Sequence, residues 1–257
     1  MNSFTTDDLQ VLAKFPFTDP RWKNKFLIGG LLHLAGYVIP LIPVMFVYGY
    51  CAQMMRQIIV EKRDPFMPEW DNWEKLLQDG LKITGVGLIY SLPGLILFCG
   101  GYGLFFVTVI GAGVASESVP RDSAPLTALA PLVGMVSWLG GFGLGMVLML
   151  VGLMFLPVAV GHVVATDQFS AAFRVREWWP IFRANLSGYV ITYVLMFGFW
   201  MVLSFAIQIL YFTVIFCCLL PFVMAFIMMY LMIIASILFA QAYRTGVQKL
   251  ALPATTV

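Results

Sequence analysis

Between Phe26 and Met55 the chain carries no formal charge, yet Arg21, Lys23 and Lys25 precede this run and Arg56, Lys62 and Arg63 follow it. As one straight helix it would extend about 45 Å, well beyond a hydrocarbon core of about 30 Å. Near its middle sits Pro40-Leu41-Ile42-Pro43, and proline both removes a backbone donor and clashes with the preceding turn. Basic residues stay on the cytoplasmic face, so a single crossing would strand one cluster on the wrong side. Two short helices folded back at Pro40 and Pro43 keep both clusters together. The expected element is therefore a hairpin dipping into the membrane.

The rest of the chain follows the same logic. Apolar residues make up 61% and charged residues 11%, with a mean hydropathy of +0.90. A soluble chain carries roughly 25% charged residues, so a single polytopic membrane domain over 1–257 is expected. The opening Met1–Ala13 holds Asp7 and Asp8 and lacks the layout of a secretory signal peptide. A net charge of +2 gives no ground for nucleic acid as a partner. The four cysteines (Cys51, Cys99, Cys217 and Cys218) lie in apolar runs and read as small buried hydrophobes.

Further runs without Asp, Glu, Lys or Arg cover Ile83–Ala115, Leu126–Val164 and Gly188–Ala240. The first two suffice for one crossing each, the second with an unwound start or a re-entrant piece. The third suffices for two, joined near Cys217–Pro221. With the hairpin, about six inserted helices result, in an all-α membrane fold.

Polar stretches between these runs read as two or three interfacial amphipathic helices. Lys14–Lys25 mixes Phe15, Phe17 and Trp22 with basic residues, while Pro16 and Pro20 prevent one regular helix. A second helix starts near Asp71, which can cap it, with Trp73, Leu76, Leu77 and Leu81 on one face. In a third, capped by Ser170 and bent at Pro180, Phe173, Trp178 and Ile181 meet the membrane while Arg174, Arg176, Glu177 and Arg183 stay wet. Aromatic and basic side chains favour the headgroup layer, which singles out Trp22, Lys23, Lys25, Trp70, Trp73, Arg174, Arg176, Trp178 and Trp179. In this layout every lysine and arginine of the fifteen except Arg121 faces the cytoplasm. The chain is then a multi-pass protein of the inner, cytoplasmic membrane with both termini inside. Trp22 with Gly30, Trp73 with Gly80 and Trp179 with Gly188 form a faint repeat, a similarity that arises readily in apolar sequence.

Motifs for chemistry are sparse. No His-Glu-x-x-His, Gly-x-Ser-x-Gly or phosphate-cradling glycine loop occurs, and no metal site or cofactor is expected. His33 and His162 read as packing or interface histidines, with axial ligation of a haem or chlorin as the alternative. Gly141 and Gly145 share one helix face and allow close helix packing, internal or with another subunit.

Several stretches carry a resemblance: Phe15-Pro16-Phe17-Thr18-Asp19-Pro20-Arg21-Trp22, Leu27-Ile28-Gly29-Gly30-Leu31-Leu32, Gly49-Tyr50, Pro68-Glu69-Trp70-Asp71, Asp79-Gly80-Leu81-Lys82 and Ile89-Tyr90-Ser91-Leu92-Pro93. Phe173-Arg174-Val175-Arg176-Glu177 and Gln241-Ala242-Tyr243-Arg244 extend it. In these the chain resembles the prokaryotic integral membrane family known as domain of unknown function 4013. The resemblance implies a multi-helix membrane fold and no reaction.

Three functions fit. The leading expectation is a non-enzymatic scaffold, accessory subunit or bilayer-shaping protein, whose partners are membrane lipids and a membrane protein or a second copy of itself. It rests on the lack of ionisable residues inside the inserted segments, where coupled transporters place them. A permease or channel for a neutral or apolar solute, lined by Ser91, Thr108, Ser137, Thr192, Ser204 and Gln208, is the alternative. A lipid-headgroup enzyme using Glu69, Asp71 and Glu74 is the third.

Overall fold

The computed structural model describes residues 6–118, 124–211 and 219–251. Among them the fold is all-α. We number the helices α1 (Thr6–Lys14), α2 (Trp22–Ala35), α3 (Ile42–Ile59), α4 (Trp73–Ser118), α5 (Ala124–Thr166), α6 (Val175–Ala184), α7 (Leu186–Tyr211) and α8 (Leu220–Ala251). Short 3-10 turns cover Phe15–Phe17 and Phe169–Phe173. Four helices are long and apolar enough to cross a bilayer, over Trp73–Val114, Leu129–Thr166, Leu186–Ile209 and Leu220–Ala251. The chain is a multi-pass membrane protein. In hydrocarbon a helix satisfies its own backbone donors and acceptors, and these runs offer no competing polar side chains in number.

These four account for part of the expectation of about six inserted helices, whose first two were the arms of the hairpin. The hairpin does form, as α2 and α3, but with 14 and 18 residues they reach only about 21 and 27 Å, short of a full crossing. Between them the chain turns at Gly36–Leu41, with Leu41 in the left-handed region at φ 73°. Pro43 lies buried in the first turn of α3, where its missing donor leaves no helical bond unmade, and Pro40 lies exposed in the turn. The runs at Ile83–Ala115 and Leu126–Val164 each lie within one continuous helix, so α5 has no unwound start. Arg121, Cys217 and Cys218 fall outside the described residues, as does most of the expected turn between α7 and α8.

The chain divides into two compact units, Met1–Thr84 with Pro157–Val257, and Gly85–Leu156. In the first, α2, α3, α6 and α7 all pack on α8. That helix is apolar on every side, which suits a central position. It buries 44% of its most apolar stretch, against 6% for α7. Gly29 and Gly30 of α2 sit so close to Met229 and Phe226 of α8 that a methyl group would collide with either side chain. Gly49 of α3 and Gly80 of α4 do the same with backbone: an added methyl would run into the carbonyls of Leu76 and Met45 respectively. Leu76, Tyr50, Met54, Ile58, Met229 and Ile233 form a core closed to solvent and lipid.

In the second unit the parts of α4 and α5 from 85 to 156 run antiparallel. Gly134, Gly141, Gly145 and Gly152 recur at intervals of seven, four and seven, a seam that stays on one helix face. They meet Thr108, Leu97 with Gly101, Gly94 and Tyr90 in turn. A methyl on Gly141 would lie 2.7 Å from the Leu97 carbonyl, and one on Gly145 2.8 Å from that of Gly94. Small residues let two backbones approach where lipid supplies no hydrophobic drive. Most of the remaining apolar surface of this unit is exposed.

The amphipathic segments differ from the interfacial helices expected. The stretch from Trp73 is the first part of α4 rather than a separate helix. Its cap is Asn72, whose Oδ1 accepts from the Lys75 N–H at 3.0 Å, while Asp71 accepts from Asn72. Leu76 is buried in protein, and Trp73, Leu77 and Leu81 remain exposed. Helix α6 is amphipathic, but Trp178, Ile181 and Phe182 turn its apolar side into the protein. Ser170 lies within the 3-10 turn that precedes it, whose cap residue is Gln168. Cys51 is buried and Cys99 exposed, so only the former matches the reading of a buried hydrophobe.

Candidate functional site

The polar residues of the first unit gather into three nodes at the ends of its helices. The first joins α3, α4 and the turn after α5. Asp79, with a side chain only 3% exposed, accepts from Arg56 at 2.9 Å and meets Lys75 at 3.3 Å. Asp167 meets Lys82 at 2.8 Å, Lys75 at 3.3 Å and Arg56 at 3.4 Å. Asp167 ends α5 in the left-handed region at φ 56°, a conformation that aspartate tolerates better than most residues. The hydrogen bond from Lys82 is the main reason that its carboxyl lies below the usual range, with Lys75 and Lys82 adding charge attraction against some desolvation. The space among Arg56, Asp79, Lys82 and Asp167 is about 10 Å³, room for one water and no substrate.

The second node secures the segment between α3 and α4. Lys25, on α2, is 4% exposed. Its ammonium donates to Asp19 at 2.6 Å and to the Met67 carbonyl at 2.7 Å, and meets Glu69 at 2.7 Å. These partners use all three protons of the group. Burial alone would raise the Asp19 carboxyl, but the Lys25 and Arg21 contacts outweigh it and leave the group below its usual range. Trp70 donates from Nε1 to the Lys25 carbonyl at 3.0 Å and stacks on Tyr50, ring centroids 4.2 Å apart. The Tyr50 hydroxyl donates to the Pro68 carbonyl at 3.0 Å. Gln57, buried in α3, accepts from the Phe66 N–H at 2.9 Å.

The third node ties α5, α6 and α8. His162 places Nε2 2.9 Å from Glu177 and Nδ1 2.7 Å from the Tyr243 hydroxyl. A carboxylate only accepts, so the Nε2 proton is donated to Glu177, while Nδ1 pairs with the Tyr243 hydroxyl. The bond from His162 holds the Glu177 carboxyl below its ordinary value. Asn185 donates to the Ala242 carbonyl and accepts from Lys249, both at 2.9 Å. Gly246 lets α8 press on the Ile181 carbonyl.

Among the residues singled out for the headgroup layer, Lys25, Trp70 and Trp178 are buried. Trp178 donates to the Ala172 carbonyl at 2.9 Å. Trp22 is half-buried, and Lys23, Trp73, Arg174, Arg176 and Trp179 are exposed. Of the carboxylates considered for lipid chemistry, Glu69 binds Arg21 and Lys25, Asp71 holds the Asn72 N–H, and Glu74 accepts from Gln78 at 3.2 Å. The hydroxyls of Ser91, Thr108, Ser137, Thr192 and Ser204 each bond back to a carbonyl of their own helix. Gln208 is exposed. His33 places Nδ1 3.1 Å from the Gly29 carbonyl and Nε2 3.2 Å from the Met232 sulfur. No group of three or more potential metal ligands occurs among the described residues.

The nodes therefore bring together residues that sequence reading treated separately. Asp79, Asp167 and Asn185 drew no attention as partners. The one signal available was their position at the ends of apolar runs, where a charged side chain needs a counter-charge or water. Chemically, the nodes neutralise buried charge and clamp helix ends. Neither curated proteins nor solved structures yield a match to this chain. A family model described as "Protein of unknown function (DUF4013)" matches residues 32–212, which leaves the Phe15–Trp22 and Gln241–Arg244 motifs, and all of Leu27–Leu32 but its last residue, outside the match. The chain belongs to the DUF4013 family.

Proposed function

We propose that this protein is a non-enzymatic component of the inner, cytoplasmic membrane: a scaffold or accessory subunit that docks another membrane protein or a second copy of itself. In this reading both termini are cytoplasmic, and the α2–α3 hairpin enters one leaflet and returns. That brings the inserted helices to six and wedges the leaflet from one side.

The observation that carries the proposal is the distribution of glycine in the second unit. One set is used up in the α4–α5 seam. A second set faces outward: Gly100, Gly103 and Gly111 on α4 and Gly140 and Gly143 on α5 have nothing within 4 Å of an added methyl among the described residues. An outward glycine in a membrane helix weakens the helix slightly and fills no core. It lowers the barrier to close approach by another helix. The polar nodes support the same reading from the other side, since their buried charges are engaged with each other.

The test is photo-crosslinking in native-source membranes, with benzoylphenylalanine at position 103 or 140 and, as the inward-facing control, in place of Phe105, whose ring meets Trp138 of α5. A discrete protein adduct or a homodimer at 103 or 140, absent at 105, is the expected result. Lipid adducts alone at both outward positions would overturn the proposal.

A further inference from the structure

At the charged end of the first unit, the ends of α3, α5 and α8 and the flank of α6 enclose a recess of about 470 Å³, open on one side. Ile59, Ala165, Ile181 and Val247 wall it, and Lys62 and Arg244 stand at its lining. No carboxylate lines it among the described residues. The volume lies within the usual range for a small-molecule site, about 300–1,000 Å³.

What sets the two cations apart is their place at the recess, since Lys14, Lys23, Arg176, Arg183 and Lys249 likewise have no ion pair among the described residues. Arg56, Lys75 and Lys82 are held by Asp79 and Asp167, Arg21 and Lys25 by Glu69, and Arg63 by Glu61. Lys62 and Arg244 have no ion-pair partner among the described residues. The placement of Lys62 is built into the end of α3. The N–H groups of Glu61 and Arg63 reach back to the Arg56 and Gln57 carbonyls at 3.1 Å each, with Lys62 between them at φ 55°. Arg244 is the first charged residue of α8. Both therefore sit where an apolar helix run gives way to charge, the level at which lysine and arginine meet lipid headgroups.

We propose that this recess is a binding site for an anionic phospholipid, whose acyl chain lies along Ile59, Ala165, Ile181 and Val247 and whose phosphate is held by Lys62 and Arg244. Charge complementarity selects the occupant. An apolar wall alone would accept any lipid, but two uncompensated cations favour a headgroup with net negative charge over a zwitterionic one. A free phosphate would leave the apolar wall empty. The site is independent of the partner-docking face on the second unit.

The test uses the full chain in nanodiscs of phosphatidylcholine, with trace phosphatidylglycerol or trace phosphatidylcholine carrying a diazirine in the acyl chain. Each cation at a membrane surface favours an anionic lipid roughly fivefold, so a preference of about twenty-five-fold is expected for the pair. Adducts should map to peptides around 59–62 and 244–251. Lys62→Gln with Arg244→Gln should bring the two lipids within about twofold, with the elution profile unchanged, and Lys23→Gln should keep the full preference. Lys62→Gln alone, at an exposed position, should remove about half of the logarithmic preference and serves if the double variant does not fold. Val247→Trp should block labelling by both lipids.

Equal labelling by the two lipids in the unaltered chain would overturn the proposal, as would selectivity that survives the double variant. Loss of acyl labelling in millimolar inorganic phosphate would assign the cations to a free anion instead. Labelling that arises only after deletion of residues 252–257 would make that segment the occupant.

Discussion

Asp79 offers the sharpest test of the idea that the polar nodes clamp the helix ends. Its side chain is 3% exposed and lies 2.9 Å from Arg56, itself 21% exposed. At an effective dielectric of about 20, two unit charges at this distance attract by about 6 kcal/mol. Desolvation of both cancels much of that, whereas removal of one partner alone costs about 3–5 kcal/mol because the other stays buried and uncompensated. Here neither survivor is abandoned. Arg56 keeps Asp167 at 3.4 Å, and Asp79 keeps Lys75 at 3.3 Å. Asp79→Ala and Arg56→Met are therefore each expected to cost about 2–3 kcal/mol, below that range because each survivor keeps a second partner. The double variant Arg56→Met with Asp79→Leu removes the buried charges together and is expected to cost only about 1–2 kcal/mol. The coupling in this double-mutant cycle, the sum of the singles less the double, is then about 2–5 kcal/mol. Equilibrium unfolding in mixed micelles, followed by tryptophan fluorescence, measures all four corners. Strict additivity, within about 0.5 kcal/mol, would refute the view that the pair acts as a clamp.

Three further outcomes follow from the same contacts. Asp19 and Asp167 both titrate below their ordinary value of 3.8; a depressed folded-state pKa contributes stability that is fully present above the unfolded value and is lost as pH falls through the folded one. The melting temperature should thus be flat above about pH 5 and drop below about pH 4, with a shallower acid limb in Asp167→Asn when scanned by thermal unfolding. Gly49→Val should destabilise by about 1–3 kcal/mol or more, because the added carbons meet the Leu76 backbone, while Gly103→Val should leave the unfolding midpoint of the purified chain unchanged. Single cysteines at Lys23 and Arg63 should react with a membrane-impermeant maleimide from the same side of sealed vesicles; reaction from opposite sides would remove the hairpin and the leaflet wedge together.

Membrane residence, the all-α class and the break at Pro40–Pro43 were legible in the sequence, because each rests on a local property. Long uncharged runs must form helices in hydrocarbon, and prolines must interrupt them. The shared face of Gly141 and Gly145 was also visible, although not that Gly134 and Gly152 continue it or that α4 receives it. What the sequence did not convey was which side of each amphipathic segment meets lipid and which meets protein. Trp178 and Trp70 have the composition of headgroup anchors, yet one packs inside α6's contact with the core and the other stacks on Tyr50. Helical periodicity specifies that one face is apolar, not what covers it. Likewise Lys25 and Glu69, Arg56 and Asp79, and Lys82 and Asp167 are far apart along the chain, and only the packing of α2, α3, α4 and α5 brings the members of each pair within 3 Å. Burial made those pairings necessary, since an unpaired charge in that layer would be too costly to keep.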